Sequence, residues 1–202
     1  MIISNCEQQT PEWWAIKKGK ISGTRFGQVI SGRKNRLIYE LLDEQLSKYL
    51  FPDDFVSEDM QFGIDNEPIA LKLYEKTTGI HVNRIGAIIS EQSWIHMASP
   101  DGINDDHTII QEVKCTQDGS IHIQRFFEGP ESQYMPQIKN YFAVSDLIQE
   151  VHWMSYCPER PERPLIIIKF KREQFADEIE KSRKQIGNIE AELVNLHTQF
   201  IF

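Results

Sequence analysis

The sequence predicts an α/β or α+β fold in which helices flank a mixed central β-sheet. Three observations predict it. Helical periodicity dominates the first third of the chain, short β-branched runs follow between residues 82 and 115, and a helix, two more strand-like runs and a long closing helix complete the order. With 202 residues, 40% of them hydrophobic, the chain is sized for one domain, 1–202, with a single sizeable core.

Taken in order, Thr10-Pro11-Glu12 reads as a helix start, because proline is tolerated at a first helical position. The glycine-bounded turn "GKISGT" leads into a second helix, and "SGRKNR" (31–36) reads as a basic, turn-rich loop. From "RLIYELLDEQLSKYL", Ile38, Leu41, Leu42, Leu46 and Tyr49 recur at steps of three and four, the signature of an amphipathic helix facing the core. A further helix runs through "NEPIALKLYEKTTG" and ends at Gly79. Pro68 leaves two readings open there, an N-cap at Asn66 or a longer, kinked helix. "VNRIGAIIS", "SWIHMAS" and "HTIIQEVKC" read as neighbouring strands of the sheet. "SQYMPQIKNYFAVSD" places Tyr134, Ile138, Tyr141 and Phe142 at helical spacing, and "QEVHWMSYC" and "PLIIIKFKR" read as two more strands. From about Glu173 to Phe200, Ile179, Ile186, Ile189, Leu193 and Leu196 line one side of a long helix.

Several function classes are disfavoured. No window approaches the roughly 18 apolar residues of a membrane span, and the N-terminus lacks the basic and apolar regions of a signal peptide, which points to a cytoplasmic location. Cys6, Cys115 and Cys157 are odd in number and lack CxxC spacing, so neither a disulfide framework nor a thiolate zinc site is expected. The six histidines show no i, i+4 pairing and read as ordinary core or surface residues. Acidic residues outnumber basic ones 30 to 22, a net charge of −8, which argues weakly against a nucleic-acid partner. An enzyme that must release its substrate needs only a local basic groove, and acids committed to divalent cations reverse the local charge.

The segment "SPDGINDDHTIIQEVKC" (99–115) carries chemistry beyond its hairpin-like pattern. Alternate side chains of a strand share a face, so Glu112 and Lys114 point the same way about 7 Å apart while Gln111 and Val113 point to the other. Asp101, at the end of the preceding strand, is expected to fold back beside Glu112 through the turn "DGINDDH". Two carboxylates and the Val113 carbonyl offer hard oxygen ligands suited to Mg²⁺, with Mn²⁺ as a substitute. A neighbouring lysine positions a metal-bound water and offsets charge building on phosphorus, so the chemistry suggested is phosphodiester hydrolysis. Alone, the same pattern also fits a solvated hairpin with an exposed Glu112–Lys114 pair worth under about 1 kcal/mol.

"SPDG" followed by "EVKC" resembles the PD-(D/E)xK nuclease signature, in the branch of the phage lambda exonuclease and the YqaJ-type viral recombinases. "EWWAIKKGKISGT", "FGIDNEPIA" and "YMPQIKNYF" are similar, in the same order, to the family's N-terminal tryptophan segment, its glutamate helix and its glutamine helix, so the resemblance spans residues 12 to 142. It implies a restriction-endonuclease-like core. Asp101 and Glu112 then match the metal-binding acids, with Val113 lending its carbonyl; Lys114 matches the catalytic lysine, Glu67 the helical acid and Gln137 the glutamine. Lys17, Thr24 and Ser99 match a pocket for a terminal 5′-phosphate. Lys17 stands where the family more often has arginine, which keeps the charge but loses the two-pronged phosphate contact. Trp13, Trp14, Trp94 and Trp153 read as core rather than base-stacking residues, and of them only Trp13 and Trp14 lie inside a matched segment. Arg33, Lys34 and Arg36 are candidates for contact with the DNA backbone.

The activity implied is Mg²⁺-dependent 5′ to 3′ degradation of one strand of linear duplex DNA, leaving 3′ single-stranded overhangs for recombination. The partners implied are double-stranded DNA, two further copies in a homotrimer, and a single-strand annealing protein, with a phage or prophage origin in a bacterial host. Another PD-(D/E)xK endonuclease and a non-catalytic DNA-binding module of the same fold are the alternatives.

Overall fold

The structure, a computed structural model, describes residues 1–48 and 57–201. Strand β1 (Ile2–Ser4) is followed by α1 (Pro11–Lys17), whose first turn is closed by the Thr10 hydroxyl accepting from Trp13 N at 3.3 Å. Helices α2 (Gly23–Ile30), α3 (Lys34–Leu46) and α4 (Glu58–Thr78) come next. The segment 31–36 is therefore not the loop expected: α3 takes up Lys34 and Arg36, because Leu37 and Ile38 must already be helical to bury their side chains. Tyr49 lies outside the described residues. Helix α4 resolves the choice left by Pro68. It starts far upstream of Asn66, with Ser57 capping Met60 N at 3.2 Å, and carries Pro68 inside it. Its end at Gly79, φ +72°, is as expected, since glycine enters the left-handed region without a Cβ penalty.

Beyond it run β2 (Ala87–Ile89), β3 (Met97–Ala98), β4 (Gly102–Ile103), β5 (Ile109–Cys115), α5 (Gly119–Glu128), α6 (Met135–Val144), β6 (Glu150–Tyr156), β7 (Leu165–Lys171) and α7 (Ala176–Ile201). The strand runs between 82 and 115 do not form one sheet. β1, β2 and β3 pair antiparallel as a small sheet, and β4, β5, β6 and β7 form a second in that spatial order. The second is mixed: β5 and β6 are parallel, with Glu112 opposite Trp153 and Lys114 opposite Ser155, and the other pairs are antiparallel. A parallel pair needs a crossover, and α5 and α6 supply it.

One face of this sheet packs on α6, with α2, α3 and α7 behind it, burying Phe26, Leu37, Leu41, Phe142, Trp153, Ile186, Ile189 and Leu193. The other is covered by α4, whose Ala70, Leu71 and Tyr74 meet Val113, Met154 and Tyr156. β5 is thus buried on both sides, and a charged residue on it needs a reason to be there. Among the described residues, no helix is long and apolar enough to cross a membrane, and all three cysteines are free.

His96 belongs to this core. Its Nε2 donates to Asn140 Oδ1 at 2.8 Å, and the Asn140 amide in turn donates to Met97 O at 3.1 Å. Burial depresses the imidazole pKa to about 4 from its ordinary 6.5. As pH falls from about 6.5 to 4 the unfolded chain takes up a proton that the folded chain refuses, so stability drops across that window, by about 3 kcal/mol in the limit. Urea titrations at pH 7.5 and 4.5 are expected to show a smaller acid loss for His96→Gln than for the wild type; equal losses would remove His96 from the acid sensitivity.

Candidate active site

The alternation of β5 turns Glu112 and Lys114 toward α6. Glu112 is almost fully buried, and its two oxygens are both engaged: Lys114 Nζ donates to Oε1 at 2.6 Å, and the Tyr141 hydroxyl donates to Oε2. The Lys114 ammonium lies 5.4 Å from the Tyr134 ring centroid, within cation–π range. Burial works against its charge, but Glu112 and Asp101 outweigh it and raise its pKa above the ordinary lysine value. Behind it, Arg125 of α5 pairs with Glu131 at 2.9 Å and reaches the Lys114 carbonyl at 3.4 Å.

Asp101 arrives by a different route from the one the hairpin pattern suggests. It does not end the strand "SWIHMAS": β3 stops at Ala98 and belongs to the other sheet, and the hairpin partner of β5 is the two-residue β4, which starts just after Asp101. Asn104 N donates to Ile109 O, while Thr116 N donates to Tyr156 O, so the odd-numbered backbone groups of β5 face β4 and the even-numbered ones face β6. The β4–β5 pairing reaches Gln111, opposite Gly102, and leaves the Val113 N–H without a strand partner. Asp101 Oδ2 accepts that N–H at 2.7 Å. The Val113 carbonyl points to the same open side. Gly102 is required here by close approach, since a Cβ would stand 2.3 Å from Val82 Cγ1.

Glu67 joins from α4 and pairs with Arg84 at 2.7 Å. It and Asp101 line a cleft of about 550 Å³ walled by the polar 5–9 segment, Ile64, Pro68 and Arg84. Burial, then Glu112 and Glu67, push the Asp101 carboxyl well above the usual carboxylate range; burial also raises Glu67, against the pull of Arg84. Three acids thus share this space with Lys114 and Arg84 as their nearby cations. Their donors suit a hard divalent cation: two carboxylates, one backbone carbonyl and room for water. Among the described residues no three His, Cys, Asp or Glu side chains converge to hold a metal alone.

A second cavity, of about 180 Å³, lies where α1 ends and α2 begins. Lys17, Ser22, Thr24 and Arg25 line it. Lys17 Nζ sits 4.6 Å from the Trp13 ring centroid and 4.8 Å from that of Trp14, and Thr24 Oγ1 is 3.3 Å from Ser22 Oγ. Glu44 takes Arg25 and the Gly19 N–H, so Arg25 is neutralised. Of the three residues expected in a phosphate pocket, Lys17 and Thr24 meet here and Ser99 does not. Ser99 lies beyond Trp13, its hydroxyl accepting from Trp13 Nε1 at 3.2 Å. Arg33, Lys34 and Arg36 line neither cavity: Lys34 is 3.8 Å from Glu192, and Arg36 pairs within α3 with Glu40 at 2.7 Å. Gln137 lies between the two sites, its amide donating to the Tyr141 hydroxyl at 3.0 Å. The sequence reading missed Tyr141 as a site residue, although it stands one helical turn after Gln137, and missed Arg84, which has no local signal.

The YqaJ-like viral recombinase domain model matches residues 12–147, about two-thirds of the chain, including Lys17, Thr24, Glu67, Asp101, Glu112, Lys114 and Gln137. The chain belongs to this family. Among solved structures it is similar to an alkaline exonuclease, LHK-Exo, from Laribacter hongkongensis: 26% identity, TM-score 0.77, 95% of this chain and 98% of that one, with the same values for LHK-Exo in complex with dAMP. A phage-related exonuclease from Haemophilus somnus 129PT, 13% identical with TM-score 0.54 over 87% of this chain and 95% of that one, shares the fold. No curated protein matches the chain. The core is restriction-endonuclease-like, as the resemblance implied. Helix α7 lies outside the matched residues and braces α3 and α6 from behind.

A carboxyl pKa raised by folding means that the ionised form weakens the fold above that pKa, and that the loss is recovered as pH falls through it. Asp101→Asn keeps an oxygen for the Val113 N–H and removes one of the crowded charges. At pH 8 in EDTA it is expected to raise stability by about 1 kcal/mol or more, read as a higher urea midpoint, and to abolish the stabilisation that Mg²⁺ gives the wild type. A lower midpoint in EDTA would contradict this charge balance.

Proposed function

We propose that this YqaJ-family protein is a Mg²⁺-dependent exonuclease that degrades one strand of linear duplex DNA from its 5′ end and leaves 3′ single-stranded overhangs. The observation that carries the reading is the union of Glu112, Lys114 and Asp101 around the open edge of β5, in a chain that belongs to a viral recombinase family and matches an alkaline exonuclease over nearly its whole length. Family membership also supports a recombination role beside a single-strand annealing protein, a homotrimer around the duplex and action in the cytoplasm of a bacterial host.

Asp101, Glu112 and the Val113 carbonyl are the residues that would hold Mg²⁺, which supplies an activated water and neutralises charge developing on the phosphate. Lys114 contributes a fixed cation. Held by Glu112 and kept charged, its ammonium stabilises negative charge on the phosphoryl oxygens and orients the incoming water. Glu67, on the cleft wall, adds acceptor capacity for waters entering beside Asp101. The Val113 N–H bond prevents the Asp101 carboxylate from rotating away when substrate arrives.

Polarity comes from the second cavity. Lys17 supplies a point charge and Thr24 and Ser22 supply hydroxyls, a set suited to a terminal phosphate. An anchored end fixes the register of the next phosphodiester and converts attack into an intramolecular event.

The test compares linear duplex carrying a 5′-phosphate, the same duplex with a 5′-hydroxyl, and closed circular DNA, each with Mg²⁺. The phosphorylated linear substrate is expected to be degraded fastest from its 5′ ends and the circle not at all. Lys114→Ala should slow single-turnover hydrolysis by about 10²–10³-fold. Lys17→Ala should erase most of the phosphate preference, and Lys17→Arg should preserve or strengthen it. Cutting of the circle would point to an endonuclease, and binding without turnover to a non-catalytic module.

A further inference from the structure

The Tyr141 hydroxyl is a junction. The ring is buried in α6, yet its single oxygen meets polar groups from three directions: the Gln137 amide donates to it at 3.0 Å, the Ser99 carbonyl stands 3.3 Å away, and Glu112 Oε2 accepts its proton. A tyrosine hydroxyl has one proton to give. With the Gln137 amide donating in and Glu112 Oε2 the closer acceptor, that proton goes to the Glu112 carboxyl oxygen.

Both upstream partners lead to the second cavity. The stem of Gln137 presses on Gly23, the first residue of α2, where an added Cβ would stand only 3.0 Å from Gln137 Cγ. Ser22 and Thr24, on either side of that glycine, line the cavity. Along the other route, the Trp13 indole N–H is shared between Gly86 O at 3.0 Å and the Ser99 hydroxyl at 3.2 Å, and the Trp13 ring lies under the Lys17 ammonium. The segment from Ser99 to Asp101 also carries the second acid of the metal site. Ser99, absent from the cavity wall itself, lies between Trp13 and Tyr141.

We infer that Tyr141 is a positioning residue that fixes the Glu112 carboxylate and ties its orientation to the state of the end-binding cavity, so that an anchored strand end and a correctly held metal ligand reinforce each other. The inference rests on the exonuclease reading above. Glu112 is too deeply buried to be held by water once the hydroxyl is removed, so its Oε2 would be left without a donor and free to turn. Changes at the cavity reach the same hydroxyl through Gln137, which donates to it. Sites without shared partners contribute additively, whereas sites joined through one side chain do not.

Tyr141→Phe removes only the hydroxyl and keeps the ring that packs α6. In the full chain it is expected to weaken Ca²⁺ binding, measured by isothermal titration in the absence of DNA, by about tenfold, and to lower single-turnover kcat by on the order of 10–100-fold with little change in KM for phosphorylated ends. The decisive measurement is a double-mutant cycle with Lys17→Ala. If Tyr141 joins the sites, the loss of 5′-phosphate preference caused by Lys17→Ala is at least about fivefold smaller in the Tyr141→Phe background. Gly23→Ala provides a second approach that leaves Tyr141 intact: displacing Gln137 should reduce the phosphate preference and weaken Ca²⁺ binding together, and an unchanged Ca²⁺ affinity would count against the link. Additive effects in the cycle, or wild-type Ca²⁺ affinity and kcat in Tyr141→Phe, would overturn the inference. Absence of Mg²⁺-dependent hydrolysis by the wild type would instead overturn the exonuclease reading.

Discussion

The hydrogen bond from Val113 N to Asp101 is the constraint around which the site is built. β4 begins too late to pair with the end of β5, so a backbone donor in the centre of the fold would go unmatched, at a cost of about 1–3 kcal/mol. A side-chain carboxylate takes the place of the missing strand. The substitution satisfies the donor and, by the same act, delivers a negative charge to the end of the strand that carries Glu112 and Lys114. A longer β4 would complete the ladder and leave no room for Asp101 at this position.

The remaining architecture follows from making that arrangement tolerable. Burying β5 between α4 and α6 excludes water from Glu112, so its oxygens are taken by Lys114 and Tyr141. Glu67 enters from the α4 side with Arg84 as its counter-charge, and Tyr134 and Arg125 close the space around the Lys114 stem. The acids nevertheless remain in excess, which is why burial and mutual repulsion raise Asp101 and Glu67 together. A fold that carries such a cluster sacrifices stability for a place where a cation and a phosphate are welcome. The net charge of −8 is therefore a poor guide to substrate, because some of the acids that make it negative face inward at the site.

Legibility in the sequence followed the range of the interaction that decides each feature. Helix starts at Thr10 and the stop at Gly79 rest on bonds within one turn and were readable as such. The pairing of Glu112 with Lys114 rests on strand alternation, also local. The division into two sheets was not readable, because β1 reaches β2 across most of the N-terminal helices and β3 leaves the strand that its hairpin-like pattern suggested. Helix α5 was passed over although Asp118 caps it and Gly129 ends it, since the apolar–polar alternation of Ile121, His122, Ile123 and Gln124 also fits a strand. Asp101 was recognised as an acid of the site, but its bond to Val113 depends on where β4 starts. Ser99 was placed with Lys17 and Thr24 by resemblance; only the packing of Trp13 between them sets it apart. Helical spacing shows Tyr141 on α6, while its hydroxyl's acceptor Glu112 lies on β5, a contact that no local pattern reveals.

If the open edge of β5, where Asp101 replaces a strand, seats a divalent cation, anomalous diffraction from a crystal of the protein soaked in Mn²⁺ should show a peak within about 2.0–2.3 Å of Asp101 and Glu112 oxygens and of the Val113 carbonyl, with the remaining positions filled by water. A fully occupied Mn²⁺ bound elsewhere, with Asp101 and Glu112 left free of metal, would contradict that placement.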